Sequence, residues 1–185
     1  ALVLGDRVLR LRRGDLGDLK FFNSSFSMTV RRGDIRTKRA YGGGTLYDIG
    51  VYCINSARHV FAAEPVEVAA MDSMGQDGAR FAEVPATVSS LMRFPSGRVA
   101  SFTCSFGADT TDTYSIIGSE GQITFINPYR FEVPRAFELS KGRKVERFDF
   151  PLTDNFSGQT AYFSDCILNG VKPEPDGEDG LADMM

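Results

Sequence analysis

Residues 42–61, which read GGGTLYDIGVYCINSARHVF, constrain the fold of this chain most strongly. After the three glycines, apolar residues recur at the spacing of one face of an α-helix. These residues are Leu46, Ile49, Cys53, Ala57, Val60 and Phe61. The spacing predicts an amphipathic helix that ends near Ala63, because Glu64 and Pro65 follow and proline cannot continue a helix.

A narrow polar stripe lies opposite that apolar face and consists of Asp48, Tyr52, Asn55 and His59. Asp48 and Tyr52 are one turn apart, so their side chains can touch. A phenol becomes a useful proton donor and acceptor when a nearby cation stabilises its phenolate, whereas a carboxylate raises its pKa. Asp48 would instead accept a hydrogen bond from a substrate hydroxyl or orient a lysine. The pair is therefore half of a site, and an ordinary solvated helix surface stays open as the alternative.

The glycines do not predict a nucleotide-binding loop. GGGTLY departs from the G-x-G-x-x-G pattern at Tyr47, and a charged loop precedes it where a buried strand is required. We therefore expect no cofactor-binding residues in this chain. With one histidine and no clustered ligands, we expect no metal site either.

Composition limits the class of protein. A chain of 185 residues suits one domain, and 42% hydrophobic with 24% charged residues is typical of soluble globular proteins. No apolar run approaches the roughly 18 residues of a membrane span, and scattered basic residues with a net charge of −3 do not predict nucleic-acid binding. The three separated cysteines predict buried free thiols in a reducing compartment. Because the first residues also lack the order of a secretory signal, a cytoplasmic location is predicted.

The rest of the chain is dominated by predicted strands. Residues 19–30 read as a long strand, 66–71 as a short one, and three hairpins pair 84–94 with 98–106, 114–118 with 122–126, and 137–140 with 144–150. A second helix is predicted over 157–168, with Phe163, Ile167 and Leu168 toward the core and Gly170 as its C-terminal cap. The fold class expected for residues 1–185 is a single α+β domain: a predominantly antiparallel, open-faced β-sheet with helices packed on one face.

Small polar residues alternate along the central hairpin and occupy the face of the sheet away from the helices. They are Thr87, Ser89, Ser101, Thr103 and Ser105. Such a face is either wet or packed against a second copy of the chain, and both readings stay open.

The motif GGGTLYDIGVY, followed in order by EPVEV, FPSGRVASF, IIGSEGQITF and ILNGVKPEP, resembles the C-terminal domain of the glucose-fructose oxidoreductase, inositol dehydrogenase and MocA family. The likeness runs from about residue 15 to the end. It implies the substrate-binding and oligomerisation domain of an oxidoreductase that acts on the CH–OH group of a sugar, polyol or dihydrodiol-like substrate. The family's acid/base pair would fall on Asp48 and Tyr52, with Arg36 and Asn23 as substrate contacts.

The resemblance also implies what this chain lacks. NAD or NADP would be bound by an N-terminal Rossmann domain that also carries the catalytic lysine, so this chain alone is expected to be inactive. A helix that starts near the end and stops at Met185 likewise favours a piece of a longer protein. The implied partners are a sugar-like small molecule and a homodimer or tetramer formed through the open sheet face. A non-catalytic binding or scaffold module that self-associates through its sheet is the alternative function.

Overall fold

Eight strands form a single sheet in the computed structural model, which describes residues 14–185. The strands are β1 (Leu19–Ser27), β2 (Glu67–Ser73), β3 (Thr87–Arg93), β4 (Val99–Ser105), β5 (Thr111–Gly118), β6 (Gln122–Ile126), β7 (Arg135–Lys141) and β8 (Lys144–Phe150). The helices are α1 (Val51–Phe61), α2 (Asn155–Asn169) and α3 (Gly177–Ala182). The predicted α+β fold is confirmed for these residues; the start of the predicted domain, before residue 14, lies outside them.

The strand order across the sheet is β2-β3-β4-β1-β5-β6-β7-β8. All three predicted hairpins are present as β3–β4, β5–β6 and β7–β8. The sheet is mixed, however, because β1 and β4 are parallel, with Phe22 opposite Ala100 and Phe26 opposite Cys104. After β1 the chain passes through α1 and the β2–β3 hairpin before β4 returns beside β1 in the same direction.

Helix α1 packs its predicted apolar face against the sheet. Buried residues of this face are Ile49, Cys53, Ala57, Val60 and Phe61. Residues of β1 and β4 meet them from the sheet, among them Phe22, Phe26, Ala100 and Cys104. This contact fixes the position of α1 and therefore of the polar stripe on its other side.

Helix α2 differs from the sequence prediction. It ends at the predicted cap, since Gly170 has a φ of 61° and caps the helix, but its apolar side chains do not face the core. Phe163, Ile167 and Leu168 are 53%, 66% and 81% exposed, and Cys166 is the buried residue of this helix. The predicted inward orientation is wrong because periodicity shows which residues share a face but not whether another element covers that face.

The face of the sheet opposite α1, here named the open face, carries cross-strand hydroxyl pairs. The Oγ and Oγ1 atoms lie 2.8 Å apart between Ser25 and Thr111 and between Ser89 and Thr103, and 3.0 Å apart between Ser115 and Thr124. The small polar side chains predicted for this face are present, and the exposed apolar side chains of Phe21 and Leu91 lie on the same face.

The cysteines agree with the expectation from composition. Cys53, Cys104 and Cys166 are free and buried, as predicted. Among residues 14–185, no helix has the length and apolarity required to cross a bilayer.

Candidate functional site

The glycine run folds closely against the chain's own backbone. A Cβ on Gly43 would lie 2.5 Å from the carbonyl oxygen of Arg36 and 2.7 Å from that of Lys38. The N–H of Gly43 also donates to the Lys38 carbonyl at 3.0 Å. Gly42 has a φ of 72°, in the left-handed region where glycine is favoured. The close approach that the glycines permit is therefore internal.

This geometry does not fit a dinucleotide. The run follows two short 3₁₀ turns, Ile35–Thr37 and Arg39–Tyr41, where a phosphate-binding loop would follow a buried strand. Its middle glycine is already held against the Arg36 and Lys38 carbonyls. The glycine run, residues 42–44, is therefore not a candidate dinucleotide-binding site.

A π turn, Leu46–Gly50, precedes α1 where the sequence predicts a regular first helical turn. A Cβ on Gly50 would lie 2.8 Å from Leu46 Cδ1 and 3.1 Å from Cys104 Sγ, so glycine permits this close packing. Thr45 anchors the start of the turn, since its buried hydroxyl donates to the Pro85 carbonyl at 2.6 Å. Single π turns are frequent at functional sites, and this one carries Asp48.

Arg36 lies beside the predicted acid/base pair. Its Nε donates to Asp48 Oδ2 at 3.0 Å, and its Nη1 reaches Asp34 Oδ1 at 3.4 Å. Both members of the Arg36–Asp48 pair are partly exposed, so the pair contributes less than about 1 kcal/mol to stability. Its significance is positional, because it holds the carboxylate of Asp48, whose charge acts on Tyr52, against a guanidinium.

Tyr52 is a half-buried phenol with a raised pKa. Burial raises the pKa first, and the charge of Asp48 raises it further, in the direction that the sequence predicts for a neighbouring carboxylate. The phenol is therefore protonated at neutral pH. In this environment it is a hydrogen-bond and proton donor, and it becomes a proton acceptor only when an additional cation approaches.

Two aromatic side chains pack against the Tyr52 ring. Phe26 lies edge-on at a centroid distance of 5.7 Å, and Tyr129 lies at 5.9 Å with an interplanar angle of 54°. Neither residue was predicted from the sequence. The alternation of Phe22, Ser24 and Phe26 toward α1 is a signal for Phe26, whereas Tyr129 lies between β6 and β7, where the sequence offers no periodic signal.

Asn23 is not brought to the pair. It alternates with Phe22 and Ser24 along β1 and lies on the open face, where its Oδ1 accepts a hydrogen bond from Ser101 Oγ at 2.7 Å. The sheet separates Asn23 from Asp48 and Tyr52. The structure thus assembles Asp48, Tyr52 and Arg36, and it leaves Asn23 apart.

A groove of about 470 Å³ lies next to this site but does not include the pair. It is formed between the start of the π turn and the edge strand β2, with Thr45, Tyr47, Met71 and Glu83 among its lining residues. The carboxylate of Glu83 is already engaged by Lys38 Nζ at 2.8 Å and by the N–H of Arg39 at 3.1 Å. Asp48 and Tyr52, the candidate acid/base pair, do not line this groove.

Comparison with known proteins identifies the family. Residues 10–124 match the family described as "GFO/IDH/MocA C-terminal domain", and this match covers more than half of the sequence. The chain belongs to the GFO/IDH/MocA family. The family resemblance seen in the sequence motifs is thereby confirmed, and the π turn and α1 that carry Asp48 and Tyr52 lie within the matched part of this GFO/IDH/MocA domain.

Two curated relatives of this chain are named as dehydrogenases. The chain is 31% identical over 144 residues to D-xylose 1-dehydrogenase [NADP(+)] of Haloarcula marismortui, covering 77% of this chain and 39% of that protein. It is 28% identical over 177 residues to human trans-1,2-dihydrobenzene-1,2-diol dehydrogenase, covering 89% of this chain and 50% of that protein. The chain therefore spans half or less of the length of these relatives.

Solved structures share the fold. The aldose-aldose oxidoreductase from Caulobacter crescentus, complexed with glycerol, superposes with a TM-score of 0.87 at 30% identity and covers 96% of this chain and 53% of that one. KijD10, a 3-ketoreductase from Actinomadura kijaniata in complex with NADP and TDP-benzene, gives a TM-score of 0.84 at 26% identity, covering 96% and 55%.

The electrostatics around Tyr52 predict that Asp48→Asn lowers the pKa of Tyr52, because the substitution removes the charge of Asp48, which raises that pKa. The pKa of Tyr52 is measured by following phenolate absorbance as the pH is raised. The titration of the corresponding Tyr52→Phe protein is subtracted, so that the difference reports Tyr52 alone. Asp34→Asn is the matched control, since Asp34 also contacts Arg36 but does not contribute to the Tyr52 shift. An unchanged or raised Tyr52 pKa in Asp48→Asn would contradict this prediction.

Proposed function

We propose that this chain is the substrate-binding and oligomerisation domain of an NAD(P)-dependent oxidoreductase that acts on the CH–OH group of a sugar, polyol or dihydrodiol-like substrate. The observation that carries the proposal is the Asp48–Tyr52 pair on the GGGTLYDIGVY motif, with Arg36 held 3.0 Å from the Asp48 carboxylate. The named activities of the relatives, which are a xylose dehydrogenase and dihydrodiol dehydrogenases, support the substrate class.

In this proposal Tyr52 exchanges a proton with the oxygen of the reacting carbon. Its half-exposed position leaves the hydroxyl accessible, and its raised pKa keeps the proton available for donation to a carbonyl oxygen. In the reverse direction Tyr52 must start as the phenolate to accept the proton of the substrate hydroxyl, and a nearby cation would stabilise that phenolate by lowering the pKa of Tyr52. By family resemblance, a lysine outside this chain supplies that cation.

Asp48 and Arg36 bind and orient the substrate. The carboxylate accepts a hydrogen bond from a substrate hydroxyl, and the guanidinium of Arg36 both holds that carboxylate in place and offers further N–H donors. A polyhydroxylated substrate suits this combination of an acceptor and a multiple donor. Asn23, on the other face of the sheet, is not part of the proposed site.

The coenzyme belongs to another part of the protein in this proposal. NADP is named for the Haloarcula dehydrogenase and is present in the KijD10 complex, whereas the glycine run of this chain does not fit a dinucleotide. We therefore assign NAD or NADP to a separate N-terminal domain of a longer protein, where the nicotinamide supplies the hydride chemistry. This chain by itself is expected to be inactive. The three buried free thiols support a reducing, cytoplasmic location.

The test of this function is a substrate panel on the full-length protein. Aldoses, polyols and dihydrodiols are each supplied with NAD or NADP, and coenzyme turnover is followed by absorbance. Saturable turnover with at least one of these classes is expected. Failure of every combination would favour the alternative of a non-catalytic scaffold module, which the hydroxyl pairs of the open face would suit.

The oligomerisation part of the proposal concerns the open face. Short, flat side chains such as Ser89 and Thr103 permit a second sheet to approach closely, as in isologous dimers. Light scattering is expected to show that the full-length protein is a dimer or tetramer. The substitution Thr103→Lys is expected to dissociate this oligomer, because it places a charge in the proposed interface. Thr160→Lys, on exposed helix α2, is the control. A monomeric wild-type protein would contradict this part.

A further inference from the structure

The loop between β6 and β7 is held in place by a buried carboxylate. Asp112, which is 4% exposed, accepts hydrogen bonds from the N–H of Tyr129 at 3.1 Å and from the N–H of Arg130 at 2.9 Å. The Asp112 carbonyl also accepts the N–H of Asn127 at 2.9 Å, where the chain turns with a φ of 55°. One residue of β5 thus fixes the path of the backbone on either side of Pro128.

The side chain of Tyr129 enters the interior beneath α1. It is 6% exposed, and its hydroxyl lies 2.8 Å from Ser24 Oγ on β1. Ser24 Oγ in turn donates to Cys53 Sγ on α1 at 3.2 Å. Through Ser24, these contacts connect the Tyr129 hydroxyl to Cys53, the residue of α1 that follows Tyr52.

The ring of Tyr129 completes the support of Tyr52. Its centroid lies 5.9 Å from the Tyr52 ring and 5.1 Å from Phe26, which itself packs edge-on against Tyr52. Tyr52 therefore has aromatic rings against it from β1 and from the β6–β7 loop, while its own side chain stays half-exposed. Rotation of the Tyr52 ring toward the interior would require one of these buried rings to move, and rotation toward solvent would break its contacts with both.

We propose that Tyr129, with its backbone held by Asp112, is a positioning residue that sets the orientation of the Tyr52 phenol during proton exchange. This inference rests on the proposed function of Tyr52. Because Tyr129 is buried, it acts through Tyr52 and does not touch the substrate. Its loss changes the rate of the chemical step through the geometry of the phenol, and substrate affinity is preserved.

The expected effect is a drop in kcat without a matching change in KM. Tyr129→Leu removes the ring against Tyr52, and we expect kcat to fall by about 10-fold, since small misplacements of a reacting group have effects of this order. KM is expected to stay within about twofold, because no substrate contact is removed. Tyr129→Phe keeps the ring and is expected to recover most of the lost rate.

A double-mutant cycle with Tyr52→Phe separates positioning from general structural damage. If Tyr129 acts through the Tyr52 hydroxyl, Tyr129→Leu has no further effect on kcat once that hydroxyl is absent. If it only loosens the fold, it lowers the rate of the Tyr52→Phe protein by the same factor as that of the wild type. The cycle is run on the full-length protein with coenzyme and the best substrate of the panel.

Controls keep the test decisive. Phe137→Leu removes a buried aromatic ring from β7, which is three strands away from β1 in the sheet, and is expected to lower stability without lowering kcat.

If Tyr129→Leu does not fold, Asp112→Asn replaces it in the cycle, because this substitution weakens the hydrogen bonds that hold the Tyr129 backbone. The inference is overturned if the variant keeps wild-type kcat, or if its effect adds fully to that of Tyr52→Phe. An unchanged kcat in Tyr52→Phe alone would instead overturn the proposed function.

Discussion

Replacing Tyr52 with phenylalanine in the full-length protein is expected to lower kcat by about 100-fold or more, the usual scale for losing a general acid or base. The substitution removes the hydroxyl and keeps the ring that packs against Phe26 and Tyr129. The loss is therefore chemical, and the melting temperature should change little. Steady-state rates of coenzyme turnover at saturating substrate measure the effect.

Tyr47→Phe is the matched control for this prediction. Tyr47 lies one residue before Asp48, is 60% exposed and lines the neighbouring groove. We expect its kcat to equal that of the wild type. If Tyr52→Phe retained a rate within a few-fold of the wild type, Tyr52 would not be the proton-exchanging group.

The second large effect is expected at Arg58, on the other end of α1. Its guanidinium is 9% exposed, donates through Nε to Glu64 at 2.7 Å and contacts the buried carboxylate of Asp183 near the C-terminus. Arg58→Met would leave Asp183 buried, with the Asn55 amide donating to it at 3.0 Å. We expect the free energy of unfolding to fall by about 3 kcal/mol, the lower part of the range for breaking a buried ion pair.

The loss of stability is measured by denaturant unfolding of the full-length protein, from the unfolding transition that belongs to this domain. Arg147→Met provides the comparison, because Arg147 pairs with Glu138 and Asp149 on the exposed side of β8 and should contribute less than about 1 kcal/mol. Adding Asp183→Asn to Arg58→Met should recover part of the stability, since it removes the unpaired charge. Equal effects of Arg58→Met and Arg147→Met would contradict the assignment of a buried ion pair at Arg58.

Local sequence patterns were sufficient for much of the fold. The apolar spacing of Ile49, Cys53 and Ala57 predicts α1, and the turn residues between β3 and β4, and between β5 and β6, predict the hairpins. These signals act over a few residues and need no knowledge of the rest of the chain. The parallel pairing of β1 with β4 depends on how the chain returns after more than 70 residues, so local periodicity contains no information about it.

In the candidate site, too, local contacts were predictable from the sequence and long-range contacts were not. Asp48 and Tyr52 are one turn apart, so their proximity was predictable, whereas the Arg36–Asp48 pair depends on the fold of the 3₁₀ turns and the glycine run. Asn23 lies in the correct strand but on the wrong side of it for the site, because successive residues of a strand face opposite ways. Tyr129 reaches Tyr52 only through the strand order that places β5 beside β1 and β6 beside β5.

The most direct test of the central claim is a crystal structure of the full-length protein with its coenzyme and the polyhydroxylated substrate that gives the best turnover. We expect a substrate oxygen within hydrogen-bonding distance, about 3 Å, of the Tyr52 hydroxyl, with a second hydroxyl on Asp48 or Arg36. A substrate bound in the groove between the π turn and β2, without contact to Tyr52, would contradict the claim.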